Sequence, residues 1–183
     1  MVEIWNGNDI ITEISGMDSR RRISAKPVAS EIIRAGQPLF DIVFDTAMNS
    51  YGHMPERCAE ACARAALANH CFAEKRSGAI VAAILKKPGG RIRYFLAVLA
   101  GRLSPCEKDA YKCAHIINEW LHGEKSRGAK AAFLEAIASL SRYSKRLAPM
   151  AEKLINEALR SPTASYSARA RQIIKRKGAV PNV

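Results

Sequence analysis

Two groups of basic residues offer the plainest chemistry in this chain. Lys86, Lys87, Arg91 and Arg93 bracket the turn Pro88-Gly89-Gly90, where proline cannot continue a helix and glycine accepts left-handed backbone. A helix starting after that turn would aim unpaired amides and the positive end of its dipole at the place where the four cations gather, which suits a phosphate group. The same residues also read as a solvated turn between core helices. The second group is Arg160, Arg169, Arg171, Lys175, Arg176 and Lys177, which follow one another with no acidic residue among them. Basic arms that meet phosphate backbones have this pattern. Arg142, Lys145 and Arg146 lie upstream, on the outer face expected for a packed pair of helices.

Other chemistry finds less support. Cys106, Cys113, His115 and His122 invite a zinc site, as do Cys58, Cys62, His70 and Cys71, yet the seven-residue intervals of the first set do not match the short ligand pairs of structural zinc. Core thiols and surface imidazoles explain them, so no metal or cofactor is expected. No nucleophile elbow, Walker loop or metalloprotease helix is present, and carboxylates are too scattered for a two-metal nuclease. The reading is therefore a chain that is not an enzyme. Tyr143 and Tyr166, set among basic residues, could stack on unpaired bases or simply pack at the surface.

The totals agree with a polyanion partner. The net charge is +12 over 183 residues, and it is uneven. Residues 126–183 hold twelve Lys or Arg against three Asp or Glu, whereas residues 1–125 hold seventeen against fourteen. A surplus of this size attracts polyanions through long-range fields and counterion release, and it is also compatible with a merely solvated surface. DNA is expected ahead of RNA, with a protein partner as the alternative. Five cysteines, an odd number, and no apolar leader after Met1 suggest free thiols in a reducing compartment, the cytoplasm. The longest apolar stretches, within 79–85 and 94–100, are far short of the roughly 20 residues that cross a bilayer.

The elements that must position these residues read as helices. Val2 and Ile4, then Ile10, Ile11 and Ile14, flank Asn6-Gly7-Asn8 and suggest a short hairpin. Residues 15–26, with Arg20-Arg21-Arg22, read as a basic linker. From Pro27 onward apolar residues recur at helical spacing. Gly36 ends a first helix, and Pro38 opens a second that carries Phe40, Val43 and Phe44. An alanine-rich helix is expected from Pro55 through Glu74, then short helices over 79–85 and 91–103. Ser104-Pro105-Cys106-Glu107 combines the residue types that cap and open a helix, with Gly123 closing it. Helices over 130–143 and 149–159 follow. A last one, around 165–177, has little apolar content beyond Ile173 and Ile174 and is expected to be a weakly anchored arm. The whole predicts an all-α protein, an orthogonal helical bundle or stacked helical hairpins of about seven to nine helices, with a possible N-terminal β-hairpin. The organisation is 1–26 hairpin and linker, 27–160 helical domain and 161–183 basic arm.

One segment resembles a known family. Ala82-Ala83-Ile84-Leu85, Pro88-Gly89-Gly90, Ile92-Arg93 and Phe95 look like the segment preceding and containing the Pro-Gly-Gly-Tyr-Leu-Arg motif of replication initiators of repABC-type plasmids. The likeness covers about 25 residues. Arg91 stands where that family has tyrosine, and the polar insertion before the proline is missing. The resemblance implies an origin-binding helical protein of a plasmid or other mobile element.

Overall fold

The structure is a computed structural model that describes residues 25–52 and 54–178; the expected hairpin and nearly all of the basic linker lie outside the described residues. Within them the chain is an all-α bundle. Its helices are α1 (Lys26–Ala35), α2 (Gln37–Asn49), α3 (Met54–Ala68), α4 (Cys71–Glu74), α5 (Ser77–Leu85), α6 (Ile92–Ala100), α7 (Glu107–Gly123), α8 (Arg127–Leu140), α9 (Ala148–Leu159) and α10 (Ala164–Gly178), with a 3-10 turn at Lys145–Leu147.

Local signals explain most boundaries. Pro27 and Pro38 sit in the first turns of α1 and α2, where a missing amide hydrogen costs nothing. Gly36 separates the two helices at φ +86°, a conformation that L side chains rarely adopt. The expected helix from 55 to 74 is broken in two, because Asn69 turns its side-chain oxygen onto the Cys71 amide at 3.1 Å and opens a new turn. That break brings the count to ten helices among the described residues, against the seven to nine expected.

The Ser104 expectation is also corrected. Cys106, in extended backbone, takes the cap position of α7 and makes no side-chain cap bond. The Ser104 hydroxyl instead donates to Glu74 at 2.6 Å and accepts from the Tyr143 hydroxyl at 3.0 Å. Glu107 and Asp109 supply the negative charge that the first turn favours. A cap that the sequence reading did not single out is Ser126, whose hydroxyl accepts from the Ala129 amide and starts α8 three residues earlier than expected.

Helices α3, α6 and α8 form the middle of the molecule. The middle helix, α6, packs against α3 on one side and α8 on the other; α1 and α2 cover α3, α5 and α7 cover α6 and α8, and α9 and α10 close the far side of α8. The core is continuous, from Ile32, Phe40 and Phe44 through Ile80, Ile84, Leu96 and Leu99 to Phe133, Leu134 and Ile137. Small residues set the spacing. A methyl group at Gly101 would stand 3.5 Å from the Ala136 backbone, so the end of α6 lies close against α8. Arg76 ties the start of α5 to α2: its guanidinium pairs with Asp45, lies 3.7 Å from Asp41 and covers the Phe44 ring.

The last helix is where the structure departs most from the sequence reading. The helix expected around 165–177 as a weakly anchored arm spans Ala164–Gly178 and is packed on α8 and α9. Ser167, Ala170 and Ile173 are buried at i, i+3, i+6, and Tyr166 is half-buried against the core. The physical reason is size. Alanine and serine count little in a hydropathy pattern, yet they let two backbones approach closely enough for Ile173 to reach the core.

A candidate anion-binding groove over α6

The outward face of α6 is the floor of a groove. Tyr94 and Val98, one turn apart and half-buried, line both of its recesses, with Leu67 of α3 on one wall and Gly128 of α8 on the other. The larger recess, 740 Å³, extends to Glu56, Glu60 and Arg64 of α3, to Arg91 and Arg93 at the start of α6, and to Glu124 and Ser126 before α8. The smaller, 160 Å³, extends to Arg102 after α6, Glu135 on α8, and Arg169 and Arg176 on α10.

Two arginines from each basic group of the sequence thus meet along one groove. Arg91 and Arg93 stand at one end, Arg169 and Arg176 at the other, and Arg142 borders a small hollow that Glu135 and Arg176 share with the second recess. The remaining candidates lie elsewhere. Lys86 and Lys87 are exposed at the end of α5, and Lys87 pairs with Glu119 of α7 at 2.7 Å. Lys145 and Arg146 are exposed on the 3-10 turn, with the Arg146 guanidinium 5.1 Å from the centre of the Tyr111 ring. Tyr111 in turn lies against His115. Arg171 and Lys175 are exposed on α10, where Arg171 donates to Ser167 at 3.3 Å; the Lys177 side chain falls outside the described ones.

The helix start after the Pro-Gly-Gly turn is not open in the way the sequence suggested. The Glu56 carboxylate accepts a hydrogen bond from the Arg91 amide at 3.2 Å, and a methyl group on Gly90, at φ +66°, would stand 3.5 Å from the same oxygen. An acid from α3 therefore already occupies the positive end of α6. Arg93 donates from Nε to the Gly90 carbonyl at 3.2 Å, which holds its guanidinium beside the turn. The turn also uses left-handed backbone at Lys87, φ +50°, a position where glycine was not available.

At the other end, three guanidinium groups converge on one carboxylate. Glu135 receives Arg169 at 2.8 Å on Oε2 and Arg176 at 2.9 Å on Oε1, while Arg102 stands 3.9 Å from Oε1. Arg102 and Glu135 were not singled out by the sequence reading. A signal was present: Glu135 is the sole carboxylate between Glu124 and Glu152, an isolated acid in a basic tract.

The aromatic and thiol candidates do other things. Tyr143 is hydrogen-bonded to Ser104, and burial against the core pushes the Tyr166 phenol up. Cys58, Cys62 and Cys113 are buried thiols whose pKa values rise through desolvation, to about 12 for Cys58 and Cys113. Among the described residues no group of three or more His, Cys, Asp or Glu gathers as a metal site would require. No helix there is long and apolar enough to cross a membrane.

No family model, curated protein or solved structure matches the chain.

Proposed function

We propose that the chain is a non-catalytic nucleic-acid-binding protein, DNA being favoured over RNA, and that the groove over α6 receives the phosphate backbone. One observation carries this reading: Arg91 and Arg93 are joined to Arg102, Arg169 and Arg176 along a single groove whose floor is Tyr94 and Val98. Forked guanidinium donors match phosphate geometry, and a tyrosine on the floor offers a ring for a sugar or a base. The net charge of +12 adds a long-range field that would speed encounter. The local likeness of residues 82–95 to plasmid replication initiators agrees with such a role on a plasmid or other mobile element, in the cytoplasm, where the five thiols would stay reduced.

The test is binding of a fluorescent DNA duplex across a salt series. Affinity should fall steeply as salt rises, and R91Q/R93Q should weaken it. A second reading, an adaptor or inhibitor for an acidic protein, is favoured by Leu67, which is 54 % exposed beside the groove. Copurification separates the two: nucleic acid removed by nuclease and high salt supports the first, and one acidic protein in its place supports the second.

A further inference from the structure

Glu135 is held as a bound phosphate would be held. Its two carboxylate oxygens are taken by two arginines of α10, Arg169 at 2.8 Å and Arg176 at 2.9 Å, with Arg102 at 3.9 Å. These cations come from α10 and from the end of α6, and the carboxylate is only 19 % exposed. Among the described residues that line this recess and the hollow beside it, Glu135 is the sole acid, against Arg102, Arg142, Arg169 and Arg176. One negative charge thus answers several positive ones, and guanidinium groups this close repel one another unless further negative charge arrives. The recess measures 160 Å³, many times the roughly 10–15 Å³ that one water needs on the same measure, which leaves room for a phosphate group.

We infer that Arg102, Arg169 and Arg176 form an oxyanion site for a phosphate group, and that Glu135 fills it in the free chain as an internal competitor. An arriving monoester carries more charge and more acceptor oxygens than the carboxylate, so it takes over the arginine forks and Glu135 swings out; a diester brings the same single charge as the carboxylate and displaces it only with the help of the neighbouring phosphates held along the groove. The recess opens into the groove, so this inference deepens the nucleic-acid reading by placing one phosphate. The shared chemistry is a phosphate oxyanion, either a terminal monoester or a diester within a strand.

The experiment titrates the full chain with inorganic phosphate, with a thymidine dinucleotide and with a duplex oligonucleotide, by calorimetry at low salt, while thermal melting monitors folding. Glu135→Gln keeps an acceptor oxygen for the arginines but removes the competing charge, so phosphate should bind about tenfold tighter. Adding Arg102→Gln to that variant should reverse most of the gain, and because Arg102 makes the longest of the three pairings, α10 should stay docked. R169K/R176K keeps charge but loses the forks and should bind phosphate more weakly than the wild type. A dinucleotide that benefits from Glu135→Gln as much as inorganic phosphate does identifies a strand diester; a benefit confined to inorganic phosphate identifies a terminal group. Unchanged or weaker phosphate binding in a folded Glu135→Gln protein would overturn the site, even where the duplex still binds the groove. Phosphate binding that follows the variants without any duplex binding supports the site and removes the nucleic-acid reading instead.

Discussion

Glu56 of α3 caps the first turn of α6 by accepting the Arg91 amide at 3.2 Å. The helix end that the sequence marks as a phosphate site therefore already holds a carboxylate from within the fold, and an anion entering the groove meets the Arg91 and Arg93 side chains beside it. Glu56→Gln keeps a weaker acceptor but loses the charge at the dipole end, and should cost about 1 kcal/mol in urea denaturation. With one acid fewer in the larger recess, the same variant should also bind duplex DNA more tightly.

Packing is most demanding at α8. Phe133 is fully buried, with its ring 6.0 Å from that of Trp120 on α7, and Phe133→Ala should cost about 3–5 kcal/mol. Leu67→Ala, at an exposed position, should stay within about 0.5 kcal/mol of the wild type. Equal effects in chemical denaturation would contradict the assigned core.

Docking of α10 is open to direct test. Ala170 has no exposed surface, and an aspartate there would place an unpaired charge in the contact with α8 and α9. Ala170→Asp should expose the basic residues of α10 to trypsin, with cleavage at Arg169 and Arg171 within minutes while the rest of the bundle resists. A variant as resistant as the wild type would mean that the helix is not held in this way.

The thiols predict an alkaline limit. Cys58 and Cys113 are lifted by burial from an ordinary 9.0 to about 12. An unfolded chain starts losing these protons near pH 9, whereas the folded chain keeps them until about pH 12. Stability should therefore be insensitive to these groups below pH 9 and fall between pH 9 and 12, by about 1 kcal/mol per pH unit for each thiol. Cys113→Ala should flatten that decline, as measured by urea midpoints across the range. At pH 8 a thiol reagent should label Cys71 and Cys106, which are exposed, well before the buried three.

Much of this fold is legible in the residues because its signals are local. Proline at a first turn, Gly36 between two helices and apolar residues at helical spacing each act within a few positions, and the helices they imply are present. What escaped depends on partners far away in the chain. Ser104 has the chemistry of a cap but finds Glu74 and Tyr143, thirty and thirty-nine residues distant. The docking of α10 rests on Ser167 and Ala170, whose value lies in what they allow a neighbouring helix to do. The groove was half visible: both basic groups stand out, yet nothing local says that α6 joins them, or that Arg102 and Glu135 complete the far end. Lys86, Lys87, Lys145 and Arg146 carry the same charge and lie outside the groove, Lys87 pairing with Glu119 and Arg146 covering Tyr111 of α7, because a hydropathy pattern does not report which exposed faces are neighbours.

Whether the groove carries the DNA is read from the slope of log affinity against log salt, with one duplex and three proteins: wild type, R91Q/R93Q/R102Q in the groove, and K86Q/K87Q/K145Q/R146Q on the side where Lys87 and Arg146 meet α7. Each phosphate that is no longer neutralised should lower the slope by about 0.9, so the groove variant should drop by between two and three such steps and the other variant by nearly none. Equal slopes for the wild type and the groove variant, or a larger drop for the α7 variant, would contradict the account.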